Sequence, residues 1–454
     1  MGSLLDYLNL TLGKNVPNFI GTQLIIMKNE VYDFVIAGMG AGGATLAREL
    51  TRKGKQVLGI ESGNKEKEVG SFLDTLRYFD LNKLTKMPPR TKSRVTLWRT
   101  NMVGGSTVAS AGNGVRCLEK ELAEMGILLD DEFEEAEKEM NIRPYNLQRL
   151  TRSSKRLQEV SVDLGYELKA MPKFIDPKKC RRCGNCLMGC PYGAKWTALD
   201  YIEEASENGL KILTNTRVEK VNIEKGRARS MTVTGKTGKF EVFGKCFILA
   251  AGGMGTAPIL QRSGIENAGS QLFMDLFVNT YGLSEKSEKV KEPAMALVHA
   301  GSYEKDGYIL STISPLNNVI RFIEMGMPGA IMPKNRMIGI MTKIRDDSAG
   351  SIGQKNKYHK VVSTNDRVKL SKGITASKEI LTRAGVSDRS IRITHLQGAH
   401  PGGTAAIGKI VNSDLQTKIQ NLFICDGSVL PVSPGMPPIL TIVALAKRLS
   451  KIIA

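Results

Sequence analysis

The sequence predicts an α/β fold in which two domains share one chain, and three observations support this prediction. A strand, a glycine-rich turn, a helix and a second strand follow one another over residues 31–61. An apolar strand enters another glycine-rich turn over residues 247–256, and a strand and turn at residues 421–431 lead into a final helix. Because the chain has 454 residues, it is too long for one small core, and two closely joined domains are expected.

Glycines at three positions give the first turn the pattern G-x-G-x-x-G. Gly38 permits the tight turn after the strand over residues 31–37, and Gly40 lets a pyrophosphate approach the backbone. Gly43 allows this strand to pack closely on the following helix, which is expected over residues 44–53. The start of a helix offers unpaired N–H groups and a partial positive charge to phosphates, so the segment predicts a dinucleotide site.

Glu61 ends the second strand, which is expected over residues 56–60, and it stands 18 residues after Gly43. Its carboxylate can accept hydrogen bonds from ribose hydroxyls, and it disfavours a 2′-phosphate. The glycine-rich turn, the helix and this acid together predict dinucleotide binding, but they do not separate FAD from NAD.

Three later segments favour FAD. They are the Gly-Gly-Ser turn at residues 104–106, the strand and turn at residues 247–256, and the closing segment at residues 421–431. In each of them, small residues would let the backbone lie against a cofactor. The residues predicted to contact the cofactor, in these segments and beside them, are Gly104, Gly105, Ser106, Asn113, Val218, Ala251, Gly252, Asp426, Gly427 and Thr441.

These blocks resemble the glucose–methanol–choline (GMC) oxidoreductase family, the flavoenzymes that oxidise alcohols. The stretch at residues 441–446 is similar to the cholesterol-oxidase-like and long-chain alcohol oxidase branches of that family. The resemblance implies an FAD-binding, Rossmann-like domain of the glutathione-reductase type, with a substrate domain whose mostly antiparallel sheet lies over the flavin ring. The expected parts are an N-terminal extension (1–30), the FAD-binding domain (31–115, 201–265 and 405–454), a linker with the cysteine cluster (116–200) and the substrate domain (266–404).

His400 opens a His-Pro-Gly-Gly-Thr segment that resembles the His-x-x-Gly-Thr block of the family. The resemblance implies that this histidine faces the flavin and accepts the alcohol proton. Histidine suits that work because its pKa lies near neutrality. His395 lies five residues earlier and is a second candidate for the same pocket, whereas His299 and His359 have no motif around them.

Two positions depart from the family pattern. The family places an asparagine four residues after the serine of the Gly-Gly-Ser turn, but Asn113 lies seven residues after Ser106, so the loop is longer or Ser110 takes the place. The family also has an asparagine or histidine where this chain has Pro437, which carries no side-chain donor or acceptor. Either another residue partners the catalytic histidine, or the reaction differs from simple alcohol oxidation. Pro437 also suits the start of the last helix, whose positive end would stabilise reduced flavin.

Four of the seven cysteines form the run C-x2-C-x2-C-x3-C-P, which matches the ferredoxin fingerprint for a [4Fe–4S] cluster. Gly184 and Gly189 permit the turns that such a loop needs. Zinc and unmetallated thiols remain alternatives, because flavin-only members of the family have a similar loop. If the last cysteine is not a ligand, Cys117 is the first candidate to replace it. The predicted metal ligands are Cys180, Cys183, Cys186 and Cys190.

The motifs together predict an FAD-dependent oxidoreductase that transfers hydride between an alcohol-type substrate and flavin. A [4Fe–4S] cluster would relay the electrons to an acidic carrier such as ferredoxin. Two alternatives stay open: a flavin-only alcohol oxidase with zinc or free thiols in the cysteine loop, and a ferredoxin-dependent reductase of C=C bonds. Methionines in the substrate domain favour a bulky apolar substrate, and they are Met295, Met325, Met327, Met332, Met337 and Met341.

The chain is basic, with 64 Lys and Arg against 45 Asp and Glu, a net charge of +19. This excess attracts acidic partners. Nucleic acid is not an expected partner, because basic and aromatic residues are not interleaved in the pattern that stacks bases. No uncharged apolar run is long enough for a transmembrane helix, and no signal peptide opens the chain, so a cytoplasmic location is expected.

Overall fold

The computed structural model describes residues 30–81, 95–288, 292–355 and 357–454. Most of the expected N-terminal extension therefore lies outside the described residues. The strands within them are β1 (Val31–Ala37), β2 (Val57–Ile60), β3 (Thr96–Leu97), β4 (Arg143–Pro144), β5 (Lys169–Ala170), β6 (Pro172–Lys173), β7 (Lys211–Leu213), β8 (Arg217–Glu224), β9 (Arg227–Gly235), β10 (Gly238–Leu249), β11 (Ser270–Leu272), β12 (Leu276–Leu283), β13 (Leu297–His299), β14 (Tyr308–Ile313), β15 (Met337–Ile344), β16 (Gly350–Ile352), β17 (Tyr358–Lys360), β18 (Arg392–Ile393), β19 (Gln397–Gly398) and β20 (Leu422–Ile424).

The helices in the same ranges include two long ones, α11 on the second sheet and α12 at the end of the chain. Three short 3-10 turns matter for the site, at residues 105–107, 186–188 and 427–429. The helices are α1 (Ala41–Arg52), α2 (Phe72–Tyr78), α3 (Glu119–Glu124), α4 (Asp130–Glu139), α5 (Arg152–Asp163), α6 (Ala198–Glu207), α7 (Gly252–Arg262), α8 (Tyr303–Asp306), α9 (Asn318–Met325), α10 (Met327–Ile331), α11 (Thr364–Arg383) and α12 (Ile439–Ile453).

The first sheet has seven strands in the order β7-β2-β1-β10-β9-β8, with β20 paired to the C-terminal end of β10. Strands β7, β2, β1, β10 and β20 run parallel, and β8, β9 and β10 form an antiparallel meander. The carboxyl ends of the parallel strands meet at one edge, where this type of sheet binds its ligand. This arrangement confirms the predicted α/β fold class.

The first turn differs from its prediction at one point, because helix α1 begins at Ala41 rather than at residue 44. Gly42 and Gly43 therefore lie inside the helix. A Cβ on Gly43 would stand 2.0 Å from the carbonyl oxygen of Gly38, and a Cβ on Gly42 would stand 1.9 Å from that of Cys425. The helix thus packs on neighbouring backbone closely enough that only glycine fits at these two positions.

The second sheet has eight strands in the order β3-β19-β12-β15-β14-β13-β5, and β18 also pairs with β12. All of these pairs are antiparallel except the one between β19 and β3. Helix α11 packs against β12, β14 and β15. A second, mostly antiparallel sheet was predicted, and the structure confirms it.

Two short strands join this second sheet from segments that were expected elsewhere. Strand β3 comes from the expected FAD-binding segment at residues 31–115, and β5 comes from the expected linker at residues 116–200. The predicted domain boundaries themselves stay predictions. Buried apolar residues of both sheets form one continuous core, so the sheets are held against each other rather than joined by a flexible linker.

No helix within the described ranges is long and apolar enough to cross a membrane.

Candidate active site

A central cavity of about 560 Å³ lies between the glycine-rich turns of the first sheet and one face of the second sheet. Its dinucleotide end is lined by predicted cofactor residues, namely Gly38, Gly40, Glu61, Gly105, Ser106, Asn113, Val218, Ala251, Gly252, Asp426 and Gly427. Its other end, the sheet end, is lined by residues that include Phe277, Asn279, Tyr281, Met295, Ile313, Ile320, Glu324, Met341, Lys343, Gln397 and His400. One continuous space therefore joins the dinucleotide motif to the histidine.

The start of helix α1 opens on this cavity at Gly40 and Ala41. No described side chain caps the helix, and its first turn holds no acidic residue. A Cβ on Gly40 would meet no atom nearer than 3.9 Å, so a side chain there would project into open cavity. Free amides beside an open glycine fit a pyrophosphate at this point.

Glu61 is buried at the end of β2 and holds the glycine-rich turn together. Its carboxylate accepts hydrogen bonds from the backbone N–H of Met39 and of Gly63, both at 2.9 Å. Burial raises the pKa of Glu61, and these bonds oppose the rise. Oε1 also accepts from Oγ of Ser62 at 3.1 Å, whereas Oε2 has lone-pair capacity left, so the side chain can still accept from a ribose.

The Gly-Gly-Ser turn meets the first turn directly. Gly104 and Gly105 both have positive φ, at 92° and 55°, and a Cβ on Gly105 would stand 2.9 Å from the Cα of Gly40. The N–H of Gly104 donates to the carbonyl of Met39 at 2.9 Å, and Gly104 does not itself line the cavity. Ser106 lines it and accepts a hydrogen bond from the N–H of Thr100 at 3.2 Å.

Asn113 is buried and reaches the cavity despite its longer offset from Ser106. Its Nδ2 contacts the sulfur of Met295 at 3.2 Å, and its Oδ1 accepts from Nζ of Lys173. Ser110, the alternative for this position, also lines the cavity. The structure therefore leaves both residues as candidates for the cofactor contact.

Asp426 ties the second glycine turn to the closing segment. Its carboxylate accepts from the N–H of Gly252 at 2.8 Å, from Oγ1 of Thr256 at 2.6 Å and from the N–H of Ser428 at 2.7 Å. Burial raises its pKa while these bonds lower it. Ala251, Gly252 and the neighbouring turn are thereby held at the edge of the cavity.

The last helix points its N-terminus at the same cavity, as predicted, and Pro437, Pro438 and Ile439 line it. Thr441 does not line the cavity. Its hydroxyl donates to the carbonyl of Cys117 at 3.0 Å and accepts from the N–H of that residue at 3.1 Å. This pairing secures the start of α12, and Cys117 is buried.

The sheet end of the cavity is built on a period of two residues. Phe277, Asn279 and Tyr281 alternate along β12 and all line the cavity. In the adjacent strand, Lys343 lies opposite Phe277 and Met341 lies opposite Asn279. This face carries apolar side chains with a few polar groups among them, which is typical of a small-molecule pocket.

His400 lines this end, and two side chains that the sequence analysis missed hold it. Its Nδ1 lies 2.9 Å from Oδ2 of Asp275 and 3.2 Å from Nζ of Lys343. Nδ1 cannot both donate to the carboxyl and accept from the ammonium, and the carboxyl contact is the shorter, so we assign the proton to Nδ1. The lone pair then lies on Nε2.

Burial and the Lys343 ammonium lower the pKa of His400, while the bond to Asp275 opposes them. Burial also lowers the pKa of Lys343, while Asp275 and Asp346 oppose that effect. Asp275 is itself fixed, because its Oδ1 accepts from Oγ of Ser433 at 2.7 Å and from the N–H of Gly435 at 3.0 Å. The arrangement favours a neutral imidazole with a defined tautomer.

The other histidines lie away from the cavity. His395 is exposed and outside the lining, so the expectation that it shares the pocket with His400 is not met. The reason is local, because its backbone N–H bonds to the carbonyl of Glu324 at 2.8 Å while its side chain faces solvent. His299 is buried, with Nε2 at 3.0 Å from Oγ of Ser302, and His359 is exposed.

The cysteine loop folds back on itself between Asp176 and Ala194, whose backbones are joined by a 2.7 Å hydrogen bond. Its turns use positive φ at Arg182, Gly184 and Gly189, which confirms that the two glycines permit turns. Leu187 of the loop reaches the lining of the central cavity. The four predicted ligands line one small second cavity, and they are Cys180, Cys183, Cys186 and Cys190.

The sulfur atoms in this loop are spread out. In the described ranges, no three of the four lie within 4.8 Å of one another. Backbone N–H groups donate to two of them, from Arg182 to Cys180 and from Ala194 to Cys190, both at 3.4 Å. Cys183 is the exposed member of the four.

Two buried lysines connect this loop to the cofactor loop. Nζ of Lys195 donates to the carbonyls of Val108 and Ser110, both at 2.7 Å, and to that of Cys186 at 2.8 Å. Nζ of Lys173 donates to the carbonyl of Ala111 at 3.1 Å, to that of Ala294 at 2.6 Å and to Oδ1 of Asn113. Neither lysine forms an ion pair with a carboxylate in the described part of the chain.

The glycine-rich turns and the cavity beside them are those of a dinucleotide-dependent enzyme. Comparison with known families shows which family of oxidoreductases the chain belongs to. The GMC oxidoreductase family matches this chain in its N-terminal domain over residues 32–277 and in its C-terminal domain over residues 357–446. The chain belongs to this family, and it is an FAD-dependent oxidoreductase.

Relatives span nearly the whole chain at low identity. An uncharacterised protein of Methanocaldococcus jannaschii is 29% identical over 92% of this chain and 98% of its own length. A long-chain-alcohol oxidase of Arabidopsis thaliana is 24% identical over 92% of this chain and 66% of its own length.

Solved structures share the fold at still lower identity. Pyridoxine 4-oxidase from Mesorbium loti has a TM-score of 0.71 at 17% identity, covering 92% of this chain and 98% of its own. Formate oxidase from Aspergillus oryzae has a TM-score of 0.74 at 15% identity, covering 94% of this chain and 98% of its own. These likenesses concern the fold.

Proposed function

We propose that this protein oxidises an alcohol-type substrate: His400 accepts the hydroxyl proton, and bound FAD would supply the flavin that accepts hydride from the carbon bearing that hydroxyl. The observation that carries the proposal is one continuous cavity that joins the dinucleotide motif to the tautomer-fixed imidazole of His400. The long-chain-alcohol oxidase named among the relatives supports an alcohol substrate.

Nε2 of His400 is the base in this proposal. The bond from Nδ1 to Asp275 keeps the lone pair on Nε2 and stabilises the imidazolium that forms when the proton arrives. Loss of the O–H proton concentrates charge on the alcohol carbon's oxygen and so favours departure of hydride. The alcohol loses one proton to Nε2 of His400 and one hydride, for which bound FAD would be the acceptor, and it becomes a carbonyl compound.

Lys343 takes the place of the partner that the family has near Pro437. Its ammonium lies against the imidazole and lines the same cavity, so it can stabilise the developing alkoxide. The N-terminus of α12 adds a second positive pole beside the cofactor site. Positive charge at this point favours reduction of the flavin.

The test is anaerobic mixing of the FAD-loaded protein with a panel of alcohols, followed by the visible absorbance of the flavin. The proposal expects at least one alcohol to bleach the flavin and to yield one carbonyl product per flavin. Reduction by a reduced one-electron carrier, with no alcohol able to bleach the flavin, would instead favour the reverse reaction on a C=C bond.

We further propose that the cysteine loop binds a [4Fe–4S] cluster, which accepts and releases single electrons. Four thiolates around one zinc ion, at about 2.3 Å from it, lie roughly 3.8 Å apart. No three of the four sulfurs lie within 4.8 Å of one another in the described ranges, and the C-x2-C-x2-C-x3-C-P spacing matches the ferredoxin fingerprint. The N–H donors to Cys180 and Cys190 are of the kind that stabilise cluster sulfur.

The charge around the loop also supports an anionic group there. Lys173 and Lys195 are buried near Cys186 without a carboxylate partner in the described residues, and burial lowers their pKa values to about 7 and about 8. A buried cation is costly unless an anion compensates it. Thiolates bound to iron and sulfide would supply that negative charge.

An acidic one-electron carrier such as ferredoxin would be the acceptor. Leu187 brings the loop to the central cavity, and Cys183 brings it to the surface. Exposed Lys178, Lys179 and Arg181 surround that surface point and would attract the carrier. The content of iron and acid-labile sulfide in anaerobically purified protein tests for the cluster. If the loop holds zinc or free thiols instead, the protein would be a flavin-only alcohol oxidase.

A further inference from the structure

Two buried acceptor atoms at the sheet end of the central cavity lack a hydrogen bond of ordinary length to any residue in the described ranges. Oε1 of Glu324 accepts from Nδ2 of Asn279 at 3.4 Å. The remaining oxygens of the pair, Oε2 of Glu324 and Oδ1 of Asn279, make no hydrogen bond to any described residue. Both residues line the cavity, and both are more than nine-tenths buried. Buried acceptors of this kind are usually satisfied, so an unmet pair at a cavity points to a ligand.

Apart from Gln397, whose side chain interacts with Glu324 and also lines the cavity, the surroundings of this pair are apolar. Ile320, Tyr281 and Met341 line the cavity around it, and Met341 stands opposite Asn279 in the neighbouring strand. Arg321, the nearest cation on the same helix, donates to the carbonyl of Met332 at 2.6 Å and forms no ion pair with Glu324 in the described ranges. Burial raises the pKa of Glu324 to about 7.

The pair is set at a distance from the proposed base. Asp275, whose carboxylate holds His400, immediately precedes β12, and Asn279 lies four residues further along the chain. Four extended residues span at most about 13 Å, at about 3.3 Å per residue, and the positive φ of Asp275 (49°) shortens that distance. Phe277 lies between them and lines the same cavity. A ligand that reaches from one point to the other therefore passes the apolar ring of Phe277, and Lys343 stands opposite that residue in β15.

We propose that Glu324 and Asn279 bind a second polar group of the substrate, a hydrogen-bond donor at the far end of an apolar body from the alcohol that is oxidised. The donor is a hydroxyl or an ammonium, since both offer hydrogen to two acceptors. This inference rests on the proposed alcohol oxidation, and it names the substrate class as apolar diols or amino alcohols.

The test compares three matched series of graded chain length: straight-chain alcohols, their α,ω-diols and their α,ω-amino alcohols. For wild-type protein, one of the two bifunctional series is expected to have kcat/KM about tenfold above the simple alcohol of equal length. Glu324→Gln keeps the shape but removes the carboxylate, and it is expected to remove most of that preference, measured within the variant as the ratio of kcat/KM for the bifunctional alcohol to kcat/KM for the simple alcohol of equal length.

Asn279→Ser provides a second variant in case Glu324→Gln loses its FAD, and exposed Glu379→Gln is the matched control. Equal kcat/KM for all three series in wild type would overturn the inference, as would a preference that survives both cavity variants. If no alcohol of any series is oxidised, the proposed function fails, and that outcome is distinct from oxidation without preference.

Discussion

Lys343 is the residue that most changes the expected chemistry of the site. It lies in β15, 57 residues before His400, and its ammonium stands 3.2 Å from Nδ1. The sequence analysis saw only that the usual partner was missing at Pro437. No local pattern marks a lysine in an apolar strand as a partner, because the contact is made by strand pairing between distant segments.

Replacing this lysine gives a prediction for the pH dependence. A neutral His400 is the base, so flavin reduction by alcohol is lost as the pH falls through the pKa of His400, which lies below its usual value of about 6.5. Lys343→Met removes the nearby positive charge, so that pKa rises and the acid limb of the rate profile moves to higher pH. Stopped-flow reduction across pH measures the shift, with exposed Lys372→Met as the control.

An unchanged or lower apparent pKa in Lys343→Met would contradict the placement of a charged ammonium beside the imidazole. Asp275 is the other charged group facing the ring, and the substitution leaves it in place.

Gly40 provides the residue-level test of the cofactor site. A Cβ there meets nothing nearer than 3.9 Å, so the protein should tolerate Gly40→Val in its fold. The valine methyls would occupy the space beside the start of α1, and the purified protein should carry little or no FAD. Absorbance of flavin per chain is the measurement, and Gly353→Val, at a turn away from the cavity, is the matched control. Full FAD content in Gly40→Val would contradict the assignment of the pyrophosphate site to Gly40.

At the scale of the elements, the dinucleotide turn and the cysteine loop could be predicted from sequence because each is local. The strand, turn, helix and strand over residues 31–61 are each determined by residues that are adjacent in the sequence. The predicted bounds differ from the structure by three residues at the start of α1 and by one residue at its end and at the start of β2. The contribution of β3 and β5 to the second sheet could not be predicted, since two-residue strands have no periodicity. The contact between Thr441 and Cys117 could not be predicted either, because the two residues are 324 positions apart in the sequence.

The cysteine loop gives a prediction at this scale. Anaerobically purified wild-type protein should contain about four iron and four sulfide per chain, the content of one cluster of this type. Cys183→Ser removes one thiolate and should lower both, whereas Cys246→Ser, in β10 and away from the loop, should not. Assays of iron, sulfide and zinc in the same samples of the wild-type protein and both variants measure the metal content of the loop. Zinc at one per chain, with iron absent, would contradict the electron-relay proposal and leave the flavin chemistry intact.

At the scale of the whole molecule, part of the net charge of +19 lies at one place on the surface. The exposed basic residues beside Cys183 place positive charge where electrons would leave the protein. Electron transfer to an acidic ferredoxin should therefore slow as salt is raised, and it should slow further in Arg181→Glu. Lys239→Glu, an equal charge change at the far hairpin of β9 and β10, is the control. Equal effects of both substitutions would show a general charge effect without a docking point.

The central claim is that His400 takes the alcohol proton while hydride leaves for the flavin, and stopped-flow anaerobic reduction of FAD-loaded His400→Asn tests it most directly. General acid–base catalysis typically contributes about 10²–10⁴-fold. We therefore expect the alcohol-dependent bleaching of the flavin to be slower than in wild type by a factor in that range, with FAD content unchanged. Asparagine retains polarity without a base near neutral pH. Bleaching within about twofold of the wild-type rate would contradict the claim and leave His400 with a structural role.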